Sequence, residues 1–148
     1  MKRILLFATM LFMAMGVFAQ YVDLGLPSGT KWKKSNEPGF YTYEEAVSKF
    51  GNQLPTSIQL DELREFSTWE WLGNGYKVIG PSGEFIYLPA AGYRLCNGSV
   101  YSVGSVGYYW SSSPNGSEFA YGLYFFSDIV GMNFKDRCMG RSVRLVQD

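Results

Sequence analysis

The chain has 148 residues, with 13 basic and 13 acidic side chains, no histidine and two cysteines. The lack of histidine excludes Ser-His and Cys-His nucleophile pairs and removes the usual zinc ligand, and the balanced charge argues against nucleic acid as a partner. No motif indicates a cofactor, because the glycine-rich stretches lack both the P-loop lysine and the strand–GxGxxG–helix context of nucleotide sites.

Residues 1–19 have the pattern of a secretory signal peptide. A short positive region precedes an apolar run at residues 4–15, and Val17 and Ala19 supply small residues at the −3 and −1 positions of a cleavage site. The run is shorter than the roughly 20 apolar residues of a membrane-spanning helix. We therefore expect export to the periplasm, the cell surface or the medium, with no membrane insertion after cleavage.

Cleavage at that site leaves residues 20–148 as a single domain, long enough to bury roughly two-thirds of its unfolded surface. Its 11 basic and 13 acidic residues give a net charge of −2. Cys96 and Cys138 would enter an oxidising compartment, where a bridge between them would add about 2–4 kcal/mol of stability. The sequence leaves their pairing open, because it does not place their Cα atoms.

Two helices are predicted in the first half, after short strands at residues 21–24 and 31–32. Thr42 and Glu45 have the spacing of a capping box, and the helical apolar period that follows ends at Gly51. The second helix is predicted from the same two signals. Thr56 and Gln59 have the capping-box spacing, and Leu60, Leu63 and Phe66 or Ser67 define a narrow apolar face.

The second half is predicted to form short strands. A hairpin has strands near residues 76–79 and 84–88, joined by a Gly-Pro-Ser-Gly turn, and residues 98–107 are rich in loop residues. Further strands are predicted from residue 107 and at 120–126, 129–134 and 141–146. Two early helices followed by many short strands indicate an α+β domain.

The predicted strand 120–126 is apolar on both faces. One face carries Ala120, Gly122, Tyr124 and Phe126, and the other carries Tyr121, Leu123 and Phe125. The strand is therefore either buried on both sides or exposes an aromatic patch. Most other aromatic residues, including Trp69 and residues 108–110, are predicted to build the core.

Acidic and amide side chains in the tail offer weaker signals. Asp128 and Asp136 could converge across a strand pair as the acid–base pair of a hydrolase. A calcium site would need several oxygen ligands, but the spacing of the available ones matches no calcium loop, so no metal site is predicted. These oxygen-bearing residues are Asn115, Glu118, Asp128 and Asn133.

A family resemblance is carried by five blocks, in order: YVDLGLPSGTKW (21–32), LPTSIQLDEL (54–63), GYKVIGPSGEFIYLPAAGYR (75–94), VGYYWSSSPNG (106–116) and GRSVRLV (140–146). Together they resemble the secreted domain of Bacteroidetes known as the Fibrobacter succinogenes major paralogous domain. The second and last blocks also resemble a shortened formylglycine-generating-enzyme type of C-type-lectin-like fold. The resemblance implies a C-type-lectin-like fold over residues 20–148, with ligand contacts in its loop-rich second half.

Two departures limit what the resemblance implies. Cys96 and Cys138 lack the sequence context of the active-site cysteines of formylglycine-generating enzymes, so copper-dependent oxidase chemistry is not implied. The Glu/Gln-Pro-Asn/Asp and Trp-Asn-Asp tripeptides of calcium lectins do not occur in the second half, so calcium-dependent sugar binding is not implied either.

The tail from Tyr109 onward resembles the variable segment of retroelement-diversified C-type-lectin proteins, in which a fixed frame holds diversified residues on a ligand face. The implied frame is Trp110, Ser111, Ala120, Leu123, Phe125, Arg137, Gly140 and residues 142–144. The implied ligand-binding residues are Asn115, Glu118, Phe119, Gly122, Tyr124, Phe126, Asp128, Ile129, Met132, Asn133, Phe134 and Lys135.

The expected function is that of an exported, non-enzymatic module that binds a protein or glycan through residues 115–135, with diversification by a retroelement as a further hypothesis. Exposed Tyr, Phe, Met and Asn beside a few charges are the composition of a recognition surface. The alternatives are a structural or assembly subunit of a cell-surface appendage, and an acidic-residue hydrolase. The sequence leaves the ligand and the oligomeric state open.

Overall fold

The computed structural model describes residues 20–148, so the predicted signal peptide at residues 1–19 lies outside the described residues. The helices and strands, in chain order, are β1 Tyr21–Val22, β2 Lys31–Lys33, α1 Tyr43–Phe50, α2 Ser57–Phe66, β3 Thr68–Trp71, β4 Gly75–Ile79, β5 Phe85–Pro89, β6 Tyr93–Arg94, β7 Val100–Tyr101, β8 Gly107–Asn115, β9 Phe119–Phe126, β10 Ile129–Asp136 and β11 Val146–Gln147. A single 3₁₀ turn, Gly51–Gln53, follows α1.

Helix α1 begins at the predicted capping box. The Thr42 hydroxyl accepts a hydrogen bond from the backbone N–H of Glu45 at 3.2 Å, and the Glu45 carboxylate accepts one from the backbone N–H of Thr42 at 2.9 Å. These contacts satisfy two of the free N–H groups at the helix start. The buried face of the helix is narrow, because only Tyr43 and Ala46 are buried while Val47 is 37% exposed.

Helix α2 also begins at its predicted capping box, formed by Thr56 and Gln59. Leu60 and Leu63 are buried, whereas Phe66 is 52% exposed and does not belong to the core face. Within residues 20–148, no helix is both long and apolar enough to cross a membrane.

The strands form four small sheets whose ladders are all antiparallel, which confirms the α+β class. Sheet β1–β2–β11 joins the two ends of the described domain, with Val146 paired to Trp32. Sheet β3–β4–β5 contains the predicted hairpin, and sheet β8–β9–β10 contains the tail strands. The remaining sheet is the two-stranded pair β6–β7.

The strand predictions need correction at β3, at β6 and β7, and at residues 141–146. Strands β6 and β7 were not predicted, and β7 lies within residues 98–107, which were expected to be loop. Strand β3 was not predicted, because it follows α2 after the single residue Ser67 and its pattern merges with that of the helix. The predicted strand at 141–146 is reduced to β11 plus isolated bridges. Successive backbone groups there bond to different segments, since Arg141 pairs with Tyr41 and Ser142 pairs with Tyr108 and Trp110, so no continuous ladder forms.

Two buried clusters form the core. The larger one joins α2 to sheets β3–β4–β5 and β8–β9–β10, and the smaller one joins α1 to β8, β9 and the tail. Tyr109 and Trp110 are buried as predicted, but Tyr108 is only partly buried, which corrects its assignment to the core. Strand alternation explains the difference, because Tyr108 points to the opposite side of β8 from Tyr109.

Candidate functional site

Sheet β8–β9–β10 carries the predicted ligand-binding residues, and its register decides which of them share a side. Residues directly opposite each other in an antiparallel pair point to the same side. Tyr108 lies opposite Tyr124, which in turn lies opposite Gly131, and we call their side of the sheet the outer face. The inner face carries Leu123 and Phe125, which are fully buried in the core cluster that includes α2 residues.

The predicted residues do not form one surface, because strand alternation distributes them over both faces. The outer face carries Gly122, Tyr124, Phe126, Ile129, Asn133 and Lys135. The inner face carries Asn115, Phe119, Met132 and Phe134. Glu118 and Asp128 lie in the turns at the two ends of β9.

Gly122 is not a ligand-contact residue, which corrects the prediction. It is buried, and a Cβ atom there would lie 2.4 Å from both the backbone oxygen of Tyr109 and Nη1 of Arg141. Distances this short leave no room for a side chain. Gly122 therefore belongs to the scaffold, where its missing side chain lets the Arg141 guanidinium lie against the sheet.

The inner-face residues form a separate aromatic cluster at one end of the sheet. The ring centroids of Phe119 and Phe134 are 5.6 Å apart, and those of Tyr121 and Phe134 are 6.1 Å apart. Phe134 is 49% exposed, whereas Met132 packs against the core. This cluster is on the opposite side of the sheet from Tyr124 and Phe126, so a flat ligand surface cannot contain all of these residues.

The acid–base pair suggested by the sequence does not form. Asp128 lies in the turn before β10, and Asp136 is the last residue of that strand. Eight residues of extended chain separate them by roughly 25 Å. Among residues 20–148, no three His, Cys, Asp or Glu side chains form a group that could hold a metal ion.

The outer face carries a continuous row of aromatic rings. The row runs from Tyr101 to Tyr93, Tyr108, Tyr124 and Phe126, with centroid distances of 6.2, 5.3, 6.4 and 5.9 Å between successive rings. The end rings of Tyr101 and Phe126 are 49% and 38% exposed, and the three rings between them are partly buried. We call these five residues the aromatic row.

Strand register builds the aromatic row. Tyr93 and Tyr101 are directly opposite each other in β6–β7, and Tyr108 and Tyr124 are directly opposite each other in β8–β9. Gly131, opposite Tyr124 on β10, leaves the space that the tyrosine ring fills, since a Cβ atom there would lie 2.8 Å from Cε1 of Tyr124. Two consecutive hairpins therefore align their rings on one surface.

A cavity of about 250 Å³ lies beside the aromatic row. Its lining consists of Tyr93, Leu95, Tyr108, Lys135, Met139 and Arg141. A disulfide between Cys96 and Cys138, with their Cα atoms 5.1 Å apart, connects the segment that follows Leu95 to the segment that precedes Met139. The bridge therefore ties together two of the three chain segments that enclose the cavity.

Arg141 brings a positive charge to this cavity and has few polar partners. Its guanidinium lies 4.6 Å from the ring centroids of both Tyr108 and Trp110, and Nη2 donates a hydrogen bond to Oδ1 of Asn133 at 3.2 Å. Nε and Nη1 are buried without a hydrogen-bond partner among the described residues. Burial lowers the pKa of Arg141 to about 9, because removal from water disfavours the charged form, so the side chain is still protonated at neutral pH.

Arg137 anchors the turn between β8 and β9. Its guanidinium donates hydrogen bonds to the backbone oxygens of Phe119 and Gly116, pairs with Glu44 at 3.1 Å, and lies 4.7 Å from the Tyr43 ring centroid. These contacts fix the β8–β9 turn against α1. The same turn carries Glu118, whose carbonyl accepts from the Arg137 backbone N–H.

Six residues of the row and the cavity were not selected from the sequence: Tyr93, Leu95, Tyr101, Tyr108, Met139 and Arg141. Arg141 carried no signal of its own, because the segment from Gly140 to Val146 contains a second arginine, Arg144, in a similar context. The three tyrosines were hidden because their alignment depends on the packing of β6–β7 beside β8.

Residues 61–146 match the family model DUF8237, which is described as a domain of unknown function. The chain therefore belongs to the DUF8237 family. No curated protein and no solved structure matches the chain.

The DUF8237 match begins inside α2 and ends at the first residue of β11. It contains the whole aromatic row and every residue that lines the cavity. The match does not include β1, β2 or α1, which lie before it and complete the core of this DUF8237 protein.

Proposed function

We propose that this DUF8237 protein is an exported, non-enzymatic module that binds a protein or glycan through the outer face, and that its aromatic row is the main contact surface. The proposal includes a C-type-lectin-like fold and membership of the Fibrobacter succinogenes major paralogous domain group. Diversification of the tail by a retroelement is part of the same proposal, for the outer-face residues between Tyr124 and Lys135.

The observation that carries the proposal is the exposure of the aromatic row. A core aromatic residue is normally buried on all sides, yet these five rings form a contiguous surface that remains in contact with water. Contiguous apolar surface of this kind is typical of interaction sites, and tyrosine supplies both an apolar ring and a polar hydroxyl to a ligand. Strands rather than loops hold the rings, which lowers the entropy lost on binding.

The arrangement of elements supports the fold proposal. Two short helices lie beside small antiparallel sheets, and β1 and β11 bring both ends of the domain into one sheet. The long second half, from β6 to β10, carries the exposed aromatic rings. These are the features that a C-type-lectin-like fold with a C-terminal ligand face would have.

The test is a glycan and protein array probed with the purified protein, with and without calcium. Binding by the wild-type protein should be lost in Tyr101→Ala and Phe126→Ala, because each removes an exposed ring at one end of the row. Phe85→Ala is the matched control, since Phe85 is 51% exposed but lies on β5, outside the row. Unchanged binding by both row variants, or an array without any bound ligand, would contradict the proposal.

The diversification hypothesis is tested in the DNA. A retroelement would leave a nearby near-copy of the 3′ coding segment, differing at adenines, beside a reverse transcriptase gene. The differing codons should include those of Tyr124, Phe126 and Lys135 and should spare those of Leu123 and Phe125. A genomic neighbourhood without the near-copy would remove this part of the proposal.

A second candidate function, assembly into a cell-surface appendage, is favoured by strand β10. This eight-residue strand is at the edge of its sheet, and Ile129 and Phe134 on it are 45% and 49% exposed. An edge strand with free backbone groups can pair with another chain. Light scattering over a range of concentrations distinguishes the two functions, because a protein that stays monomeric at high concentration does not assemble through β10.

A further inference from the structure

We infer that the cavity beside the aromatic row binds the carboxylate of an acidic sugar, with Arg141 and Lys135 supplying the positive charge. This inference rests on the proposed function and narrows its ligand to a glycan that contains uronic or sialic acid units. The sugar ring would pack against Tyr93 and Tyr108, and the rest of the chain would lie along the aromatic row.

The charge of the cavity is the first argument. Its lining contains two cationic residues, Arg141 and Lys135, and no carboxylate. Neither residue takes part in any ion pair among residues 20–148. A buried charge without a partner is unfavourable, and an anion held next to it offsets that cost.

The incomplete hydrogen bonding of Arg141 is the second argument. Arg144 is equally buried, at 1% exposure, yet each of its three nitrogens donates a hydrogen bond to a protein oxygen at 2.6–2.9 Å. Arg141 has a single such bond, at 3.2 Å, and two unpartnered nitrogens. Nε and Nη1 themselves have less than 1 Å² of accessible surface, so Arg141 offers the cavity an uncompensated positive charge rather than these two donors.

Size and shape are the third argument. At about 250 Å³ the cavity is smaller than the roughly 300–1,000 Å³ of pockets that enclose drug-sized ligands, so it admits one sugar unit or one charged substituent. The rings of Tyr93 and Tyr108 are nearly perpendicular, at 87°, and offer an apolar corner beside the two cations. The centroids of the remaining rings follow at spacings of 5.9–6.4 Å and continue the apolar surface away from the cavity.

The experiment compares acidic oligosaccharides with their methyl esters, which keep the sugar ring but remove the charge. Oligomers of galacturonic acid, glucuronic acid and N-acetylneuraminic acid are titrated into the purified protein in a calorimeter at fixed ionic strength. At least one free acid should bind. The affinity of its methyl ester should be lower by a factor of roughly ten or more, because a hydrogen bond to a charged group contributes about that factor to binding.

Two variants assign the effect to the cavity. Lys135→Gln should lower the affinity for the free acid roughly tenfold and leave the affinity for the ester unchanged. Lys31→Gln, which removes an exposed lysine on β2, is the matched control and should bind like wild type. Arg141→Met should abolish the preference for the free acid over its ester. If Arg141→Met does not fold, the inference is tested by Lys135→Gln and the comparison of acid with ester.

The outcomes separate this inference from the proposed function. Equal affinity for acids and esters, or an acid affinity unaffected by Lys135→Gln, overturns the inference. Tighter binding of poly-glutamate peptides than of every acidic oligosaccharide also overturns it in favour of an acidic protein partner. In each of these cases the proposed function still holds if array binding depends on Tyr101 and Phe126. If the array shows no such binding, both the inference and the proposed function are wrong.

Discussion

Arg141 and Arg144 are separated by Ser142 and Val143, and both are about 1% exposed, yet their surroundings differ. Arg144 donates to Oδ1 of Asn36 and to the backbone oxygens of Lys33 and Tyr87. Arg141 lies between two aromatic rings and donates only to Asn133. One arginine ties three segments of the chain together, and the other lies beside a cavity with most of its donors unpaired.

The network around Arg144 extends beyond its own hydrogen bonds. The amide of Asn36 accepts from Arg144 and donates to the Tyr109 hydroxyl at 2.9 Å, which in turn donates to the backbone oxygen of Pro89 at 2.7 Å. Burial lowers the pKa of Arg144 to about 10, so both arginines carry their charge at neutral pH. The hydrogen bonds of Arg144 indicate a structural role, and the incomplete pairing of Arg141 is the basis of the inference that its charge meets a ligand.

The largest expected loss of stability follows from removing the guanidinium of Arg144, whose hydrogen bonds are all made. Arg144→Met removes the donor of three hydrogen bonds to partly buried acceptors on Asn36, Lys33 and Tyr87, which should lower the free energy of unfolding by about 3–5 kcal/mol. Urea denaturation followed by tryptophan fluorescence measures this loss. A loss below about 1 kcal/mol would mean that water replaces the guanidinium and that the network is not structural.

Removing the disulfide should have the next largest effect. Cys96 and Cys138 are 42 residues apart, so the double substitution Cys96→Ser, Cys138→Ser should cost about 2–4 kcal/mol through the freedom restored to the unfolded chain. The bridge flanks the Arg141 cavity, and ligand affinity should therefore fall together with stability. An unchanged urea midpoint for the double variant would show that the bridge contributes nothing to the folded domain.

Local interactions made parts of this fold predictable from the sequence. Thr42 with Glu45 and Thr56 with Gln59 form both predicted capping boxes, because an N-cap and its N3 partner are contacts within one turn. The hairpin β4–β5 is likewise a short-range structure. Strand β3 was missed because its pattern merges with that of α2, although its partner β4 is the next strand along the chain. The tail at 141–146 was misjudged because its backbone partners come from distant segments that periodicity does not reveal.

The candidate site was less predictable for the same reason. The period-2 pattern correctly separated Tyr124 and Phe126 from Leu123 and Phe125, but it could not say which neighbours each face would meet. Tyr93 and Tyr101 join the outer face through packing between hairpins, and Arg141 reaches it because Gly122 lacks a side chain. Both contacts depend on tertiary structure, so no local sequence motif predicts them.

Arg141→Met should change the stability far less than Arg144→Met does. Methionine keeps the apolar stem between the rings and removes a charge that has one hydrogen bond, and the acceptor left on Asn133 is partly exposed to water. We expect the free energy of unfolding to stay within about 1 kcal/mol of wild type or to rise, as it often does when a buried charge is replaced by an apolar group. A loss as large as that of Arg144→Met would make Arg141 a structural residue and weaken the case for its ligand.

The smallest expected effect separates the two faces of the same strand. Phe126→Ala should lower the free energy of unfolding by less than about 1 kcal/mol, because the ring is 38% exposed and lies at the end of the row. Phe125→Ala is the matched control one residue away, and it should cost about 3–5 kcal/mol because that ring is fully buried against Tyr76 and Tyr109. Thermal or urea unfolding of both variants makes the comparison. Similar losses at the two positions would mean that the outer face is a second core surface, and the aromatic row would then be packing rather than a place for a ligand.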